Sequence, residues 1–416
     1  MTIKREVIAG LDLGSTKTCV FVAEVTYSGK MEVIAIGTAP SSGVNRGLVV
    51  DLDSVTQAIR TAVKRAEDLA EFKITEVYVG IAGEHILSLN NKVSLEVQGE
   101  VTKEHIAQIL DKAKSVSLAH GREVINVLPI SFSLDGCPGI KAPVGMFGHT
   151  LELEAHVITG AGAAIANIVK CVNNAGLCIK ELVLQPIASA EAVLTQAEKD
   201  RGVILIDIGG GTTDIAVFEQ GSICHSAILP VGGNHVSSDL SIVLGISAAA
   251  AEELKLQQGS ALSCLIDPRE KMEIEGINEW QEIRRCLLSE IIEARMQEIF
   301  HLAVVEIHNA GYQDYLLYNV VVTGGCALLR DLPAMTERLL GVSLRLGFPE
   351  DVSGFPFSKG NISPVYSTAV GLARYGLLYG SKEPETAAAE EIKEEEKPKV
   401  WAIIRDWLKG FFQDRD

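Results

Sequence analysis

Between residues 6 and 50 apolar and polar positions alternate in short runs, VIAGLDLG, TCVFVAEV and MEVIAIGTAP, with the period of two that a half-buried strand imposes. A three-strand meander is predicted. Asp51-Leu-Asp53-Ser54 then offers a cap for a helix at 55–69, and 76–82 reads as another strand, which makes one α/β half. Residues 83–159 interrupt that half with strands at 85–89, 93–97, 124–134 and 150–159 and a helix at 102–118 opening on Thr102-Lys-Glu104. This is enough for a small inserted α+β module. Glycines and prolines at 136–148 mark its last connection as a surface loop, and with no chemistry of its own the module reads as an interaction surface.

A helix at 160–174, a strand at 177–184 and a helix at 187–198 opened by Gln185-Pro186 lead into the stretch LIDIGGGTTDIAVF at 205–218. Helices dominate 232–301, most clearly at 248–258 and 279–300. An apolar strand at 318–323 stops at Gly324-Gly325 before a helix at 327–340, and 367–379 is a helix whose Ala369, Gly371 and Ala373 allow close packing at a hinge. The run SKEPETAAAEEIKEEEKPK at 381–399 has one core-forming residue, Ile392, and reads as a disordered linker.

The stretch 205–218 carries the chemistry. Its first strand ends in Asp207, passes through Gly209, Gly210 and Gly211, reaches Thr212 and Thr213, and resumes as a strand. Such a hairpin lets backbone N–H groups approach an anion closely, with threonine hydroxyls as further donors. An acid beside a phosphate cradle requires a cation between them, and Mg2+ suits oxygen ligands with retained water. A glycine-rich hairpin with no ligand is the alternative for a single copy. A second copy, Asp12-Leu-Gly14-Ser15-Thr16-Lys17, weakens that alternative: two halves, each with an acid and a hairpin, predict a duplicated fold with nucleotide between them. Neither copy is GxxxxGK[ST], and neither is GxGxxG opening a helix. Gly324-Gly325 gives a backbone that can lie flat against a planar ligand, or else only a tight turn. Glu252, Glu253 and Lys255, after the glycine turn Gly232-Gly233, read from the residues alone as a solvated helix face.

Length and charge narrow the class. A chain of 416 residues exceeds one ordinary core, and a formal net charge of −17 without a basic run argues against nucleic acid as a partner. The eight cysteines are scattered without CxxC spacing, so mostly buried thiols in a reducing cytosol are expected rather than disulfides. No signal peptide is expected, because the first apolar stretch runs into Asp12, and no apolar run reaches the roughly 18 residues that span a bilayer.

The last residues differ from everything before them. At about 100° per residue, Trp401, Ile404, Trp407, Leu408, Phe411 and Phe412 share one half of a helical wheel with Val400 and Ile403, opposite Arg405, Asp406 and Lys409. A membrane interface suits that face. Partial burial of these side chains supplies on the order of 5–10 kcal/mol gross, reduced by the ordering of so short a helix, so reversible attachment is expected. Docking on a partner protein or on the chain's own body is the alternative.

The two acid-glycine hairpins, Gln185-Pro186, Val321-Val-Thr-Gly-Gly325 and Ala369-Val-Gly371 together resemble the actin-like ATPase superfamily over about residues 5–380. With the insert, the acidic linker and the terminal helix, the whole is similar to that superfamily's bacterial cell-division branch. The resemblance implies an α/β actin-like fold of two duplicated halves around a nucleotide cleft. The first half is 1–83 and 160–198, with 366–380 returning to it; the insert is 84–159; the second half is 199–237 and 302–365, with 238–301 as its small subdomain; 381–399 is the linker and 400–416 the membrane-targeting helix. ATP and Mg2+ are the implied cofactors. Asp12 and Asp207 would flank the ion, mostly through water, with Gln185 orienting water and acting catalytically with Asp207. Gly14, Ser15, Thr16 and Lys17 would meet phosphates from one side, and Gly209, Gly210, Gly211, Thr212 and Thr213 from the other. Gly232, Gly233, Glu252 and Lys255 would meet the nucleoside, which replaces the solvated-face reading, and Gly324 and Gly325 would lie by the adenine.

The implied partners are other copies in a filament, membrane lipid, later division membrane proteins recruited through the insert, and the C-terminal tail of the tubulin-like division protein FtsZ. Arg285 and Arg295, with the helix at 291–300, are the candidates for that tail. The implied place is the cytoplasmic face of the cell membrane at the division site. Gln185 cannot act as a base and Glu191 lies about a turn and a half beyond it, so ATP binding with slow turnover is expected. The rival is a phosphotransferase or chaperone-type ATPase on the same fold, which would need a catalytic acid or a substrate domain not found here. A pilus-assembly actin-like ATPase is nearer, but the terminal helix fits it less well.

Overall fold

A computed structural model of the chain describes residues 7–25, 31–276, 279–317, 319–342, 344–354 and 362–380. The expected linker at 381–399 and terminal helix at 400–416 lie outside them. Among the described residues no helix is long and apolar enough to cross a membrane.

Two sheets repeat one plan. In the first half, strands β1 (Val7–Leu13), β2 (Lys17–Val25) and β3 (Met31–Pro40) form the predicted antiparallel meander, and Glu76–Ile81 pairs with β1 in parallel on its other side. In the second, β4 (Val203–Ile208), β5 (Thr213–Glu219) and β6 (Ser222–Leu229) form the same meander, and Val320–Thr323 pairs with β4 in parallel. β6 is the edge of its sheet. Both faces of β4 are buried, which is why its residues are apolar on either side: Val203 and Leu205 enter one core, Ile204, Ile206 and Ile208 the other.

Two helices lie where the halves join. Helix α1 (Gln185–Val193) touches strands of both sheets and packs on α2 (Ser367–Tyr379). The crossing is close because Gly371 has no side chain: a Cβ there would sit 1.7 Å from the backbone oxygen of Ala188.

The insert is a four-stranded sheet, ordered Leu87–Glu100, Phe147–Ala161, Arg122–Leu134 and Cys137–Ile140, with the helix Lys103–Lys114 on one face. Its core is its own, formed by Val97, Ile106, Ile109, Leu110, Phe132, Leu151 and Leu153.

Several expected boundaries move. The strands expected at 85–89 and 93–97 are one, because the polar residues Asn90, Asn91 and Lys92 keep their ladder with His156, Ala155 and Glu154 and need no apolar side chain to do so. The helix expected to reach 118 stops at Lys114, before Ser115-Val116-Ser117. The helix expected at 187–198 breaks after Val193 and restarts at Gln196, where Thr195 and Glu198 form a reciprocal capping box. Residues 280–284 are a strand paired with Lys271–Glu275, and the long helix runs Arg285–Asn309. In place of one helix at 327–340, a 3-10 turn at Gly325–Leu328 precedes the helix Leu332–Leu340. All the cysteines are free thiols, but only Cys19, Cys171, Cys224 and Cys286 are buried; Cys137, Cys178 and Cys264 are exposed.

Candidate functional site

Each hairpin closes with the same backbone bond. Gly14 N donates to Lys17 O at 3.1 Å, and Gly209 N donates to Thr212 O at 3.0 Å. The hairpins then meet across the cleft: a Cβ on Gly210 would lie 1.9 Å from Thr16 Oγ1, and one on Gly211 2.3 Å from Ser15 Oγ. A side chain at either position would have to push one of these hydroxyls aside. The helix Gly233–Leu244 starts directly beneath the second hairpin, with Gly233 N donating to Gly209 O at 2.9 Å and Asn234 N to Gly210 O at 2.8 Å.

Three acids line the cleft. Strand alternation sets Asp12 on the face of β1 that holds Gly10, where a Cβ would strike Ala369 O at 2.7 Å, so this face looks at α2. Asp207 lies on the Val203–Leu205 face of β4, and its Oδ2 accepts from Ser189 Oγ of α1 at 2.6 Å and from Thr368 Oγ1 of α2 at 3.4 Å. Asp214 pairs with Asp207 in register across the hairpin, and its Oδ1 is buried without a partner.

Burial raises the Asp12 carboxyl to about 6, with Lys17 pulling down and Asp207 pushing up. Burial also raises Asp207, against the bonds from Ser189 and Thr368, and it lifts Asp214 well above its ordinary range, with Asp207 adding to the effect. Three crowded carboxylates of raised pKa, one with an orphaned oxygen, fit a bound divalent cation, which would favour their charged forms. Among the described residues no three acid, histidine or cysteine side chains converge closely enough to hold a metal directly.

The cavity has a volume of about 470 Å³, and beyond the hairpins its lining includes the apolar residues Val236, Leu256, Met296, Leu328 and Leu329. Gln185 reaches in beside Asp12, with Nε2 donating to its Oδ1 at 3.3 Å. Lys17 donates to Val365 O and stands 4.0 Å over the Tyr366 ring. Lys255 is 8% exposed and donates to Gly233 O at 3.0 Å, Ser237 Oγ at 2.9 Å and Glu252 Oε2 at 2.6 Å. Gly324 has φ 86, and a Cβ there would lie 2.3 Å from Asp207 Oδ1.

Of the residues expected at the site, Asp12, Gly14, Ser15, Thr16, Lys17, Gln185, Asp207, Gly209, Gly210, Gly211, Thr212, Gly233, Glu252, Lys255, Gly324 and Gly325 all line this cavity. Thr213 and Gly232 do not line it. Thr213 is fully buried, and its hydroxyl donates to Val231 O at 2.8 Å, so it braces the hairpin from behind. Gly232 is the tight junction under the hairpin, where a Cβ would lie 2.6 Å from Gly209 O. Glu253 faces away and accepts from Gln257 at 2.8 Å. Glu191 is held outside the cleft in a buried ion pair with Lys199 at 2.8 Å.

Sequence reasoning missed Ser189, Asn234, Asp214 and Thr368. Only Asn234, directly after Gly232-Gly233, and Asp214, inside the hairpin motif, had a local signal. The two arginines expected to meet a partner are engaged within the chain. Arg295 makes a two-point bond to Asp239 at 2.6 and 3.0 Å and reaches Glu298 at 2.5 Å; Arg285 pairs with Glu270 at 2.7 Å.

With this geometry in hand, comparison with known proteins is specific. A family model described as "Cell division protein FtsA" matches residues 204–371, and one described as "SHS2 domain inserted in FTSA" matches 83–159. The cell division protein FtsA of Pseudomonas aeruginosa is 36% identical over 98% of this chain and 98% of its own length. That of Neisseria meningitidis serogroup B is 35% identical over 99% and 100%, and that of Escherichia coli strain K12 is 33% identical over 97% and 96%.

Among solved structures, the PilM-PilN type IV pilus biogenesis complex matches with TM-score 0.65 at 16% identity, over 89% of this chain and 98% of the matched one. MreB5 of Spiroplasma citri bound to AMPPNP matches with TM-score 0.52 at 14% identity, over 89% and 96%. At such identities these two speak for the actin-like fold alone. The curated relatives span both halves, the insert and nearly the whole length, and the chain therefore belongs to the FtsA family of cell division proteins.

Proposed function

We propose that this chain is an ATP-binding, actin-like adaptor that polymerises at the cytoplasmic face of the cell membrane, tethers FtsZ filaments there and recruits later division proteins. The observation that carries the nucleotide part is the meeting of two glycine hairpins over three buried acids in one cavity that apolar residues also line. Backbone N–H groups of Gly14–Lys17 and Gly209–Thr212 would cradle the phosphates, with Lys17 swinging from Val365 O to add charge. Glu252 and Lys255, locked together through Ser237, would meet the ribose, and the backbone at Gly324 and Gly325 the base. Asp12, Asp207 and Asp214 would hold Mg2+ through water, and that ion would screen the phosphate charge. Gln185 would orient water but cannot take its proton, and Glu191 is committed to Lys199, which supports slow turnover.

The tether rests on the apolar face of 400–412. Many tails on one polymer would bind far more tightly than a single short helix. The insert supplies a surface for neighbouring subunits and later partners. Arg295 would accept an acidic FtsZ tail only by exchanging it for Asp239.

The test is equilibrium binding of a fluorescent ATP analogue with Mg2+. Asp207→Ala and Gly210→Arg each abolish binding on this reading, the first by removing the charge that faces the ion, the second by filling the gap between the hairpins. Wild-type affinity in both would refute it.

A further inference from the structure

The insert joins the first half and meets the second half at the same end of its sheet, where Leu87 pairs with Thr159 and Asn90 with His156. Its root is fixed by Arg122, whose Nη2 donates to His85 O and Thr159 O at 3.0 Å each and to Thr159 Oγ1 at 2.9 Å, while Ile86, Ile125 and Ile158 enter the core that the first half shares with one face of β4 and with Ile223 of β6. The face of the insert sheet away from its helix carries Ser88, Asn90 and His156 side by side, and this polar row lies on the edge strand β6.

Ser88 Oγ donates to Ser226 O at 2.6 Å and Asn90 Nδ2 to Cys224 O at 3.0 Å, so side chains take alternate carbonyls along one edge. His156, fully buried, joins the two contacts, with Nδ1 2.7 Å from Asn90 Oδ1 and Nε2 2.8 Å from Ser226 Oγ. Because the Asn90 amide donates to Cys224, its Oδ1 is an acceptor; His156 then carries its proton on Nδ1, and Ser226 Oγ donates to Nε2. Every polar atom of this small network is satisfied by one neutral arrangement.

A body fixed to both halves cannot stay still when the angle between them changes. We propose that Ser88, Asn90 and His156 form a latch through which the insert follows the opening and closing of the cleft, so that what occupies the cleft sets how the insert is presented. In the mated state the latch moves the insert with the second half; released, the insert swings from its Arg122 root alone. The link to cleft contents rests on the nucleotide reading above, whereas the latch itself does not.

Hydrogen exchange on the full chain, with and without MgATP, separates the two. In the wild type MgATP protects 14–17 and 209–213 and also changes exchange at 87–91 and 222–229 by about tenfold, the scale of one or two hydrogen bonds. In Asn90→Ala with Ser226→Ala, the hairpins remain protected but 87–91 and 222–229 no longer respond. Hairpin protection with an unchanged edge strand in the wild type, or an unchanged response in the variant, overturns the latch. If the hairpins themselves are unprotected, the nucleotide reading has failed. The latch then stands or falls on whether the variant, without ligand, exchanges faster at 87–91 and 222–229. Should the double variant not fold, Ser88→Ala, which removes one peripheral donor, provides the same comparison.

Discussion

His156 makes the latch measurable through pH. Burial, with His225 adding to it, pushes its imidazole from the ordinary 6.5 down to about 3. Of its charged surroundings, His225 is partnered with Glu306 at 3.2 Å on the second-half side, and Glu154 with Lys92 at 3.2 Å on the insert strands. A group whose folded pKa is depressed is protonated first in the unfolded state. Stability linked to His156 is therefore complete above pH 6.5, falls as pH drops below it, and levels off near pH 3. Between pH 7 and pH 5 the unfolded form gains about 1.4 pK units of protonation free energy that the folded form lacks, or about 2 kcal/mol. A chain with several cores need not unfold in one step, so the effect is read locally. Protection factors at 222–229, corrected for the intrinsic pH dependence of exchange, should fall about thirtyfold over that range in the wild type. In His156→Gln, which keeps a polar group but cannot titrate, the fall should be much smaller, what remains coming from His225, which burial also holds below its ordinary value. An equal fall in both proteins, or none in either, would refute the assignment of the latch to a neutral buried histidine.

The other predictions concern the hinge, the partner and the tail. Gly371→Ala places a methyl 1.7 Å from Ala188 O, a backbone atom that cannot step aside, and should cost at least about 1–3 kcal/mol in thermal melts; an unchanged melting temperature would mean that α1 and α2 cross elsewhere. Because Arg295 is already paired with Asp239, Asp239→Asn should tighten binding of an acidic FtsZ tail peptide several-fold in fluorescence anisotropy, on the scale of one exposed ion pair, and Arg295→Ala should weaken it. Opposite signs, or no change in either, remove Arg295 as the contact. In liposome sedimentation, Trp407→Glu with Phe411→Glu should leave the chain in the supernatant, and continued pelleting would show that the apolar face of 400–412 is not the anchor.

What the residues revealed beforehand follows what is local. Period-two alternation holds for β3, which declares one buried face along its own length, whereas β1 and β2 are buried on both faces and were marked by their apolar runs instead. The hairpin of Lys271–Glu275 with Trp280–Arg284 stayed hidden although Met272 and Ile274 alternate with exposed Lys271, Glu273 and Glu275, because each strand is only five residues long and 280–284 reads as the start of the long helix that follows. Ser88, Asn90 and His156 were equally silent. Polar residues in a strand read as a solvent face, and only the arrival of an edge strand from the other half turns them into buried contacts.

The same distinction divides the site. A glycine turn with an acid at its mouth is written within a few residues, so both hairpins could be recognised, and their shared offset from Gly14 to Lys17 and from Gly209 to Thr212 is the duplication in miniature. The direction of each hydroxyl is not local: Thr212, in the turn, lines the cleft, whereas Thr213, the first residue of β5, is buried against Val231. The partners of Asp207 are less local still. Ser189 and Thr368 come from α1 and α2, the two helices that cross at Gly371, so the joint between the halves also aims this acid of the cleft. A shift of either helix moves a hydroxyl away from Asp207 Oδ2; on the proposed Mg2+ reading, hinge angle and cation affinity are then one variable.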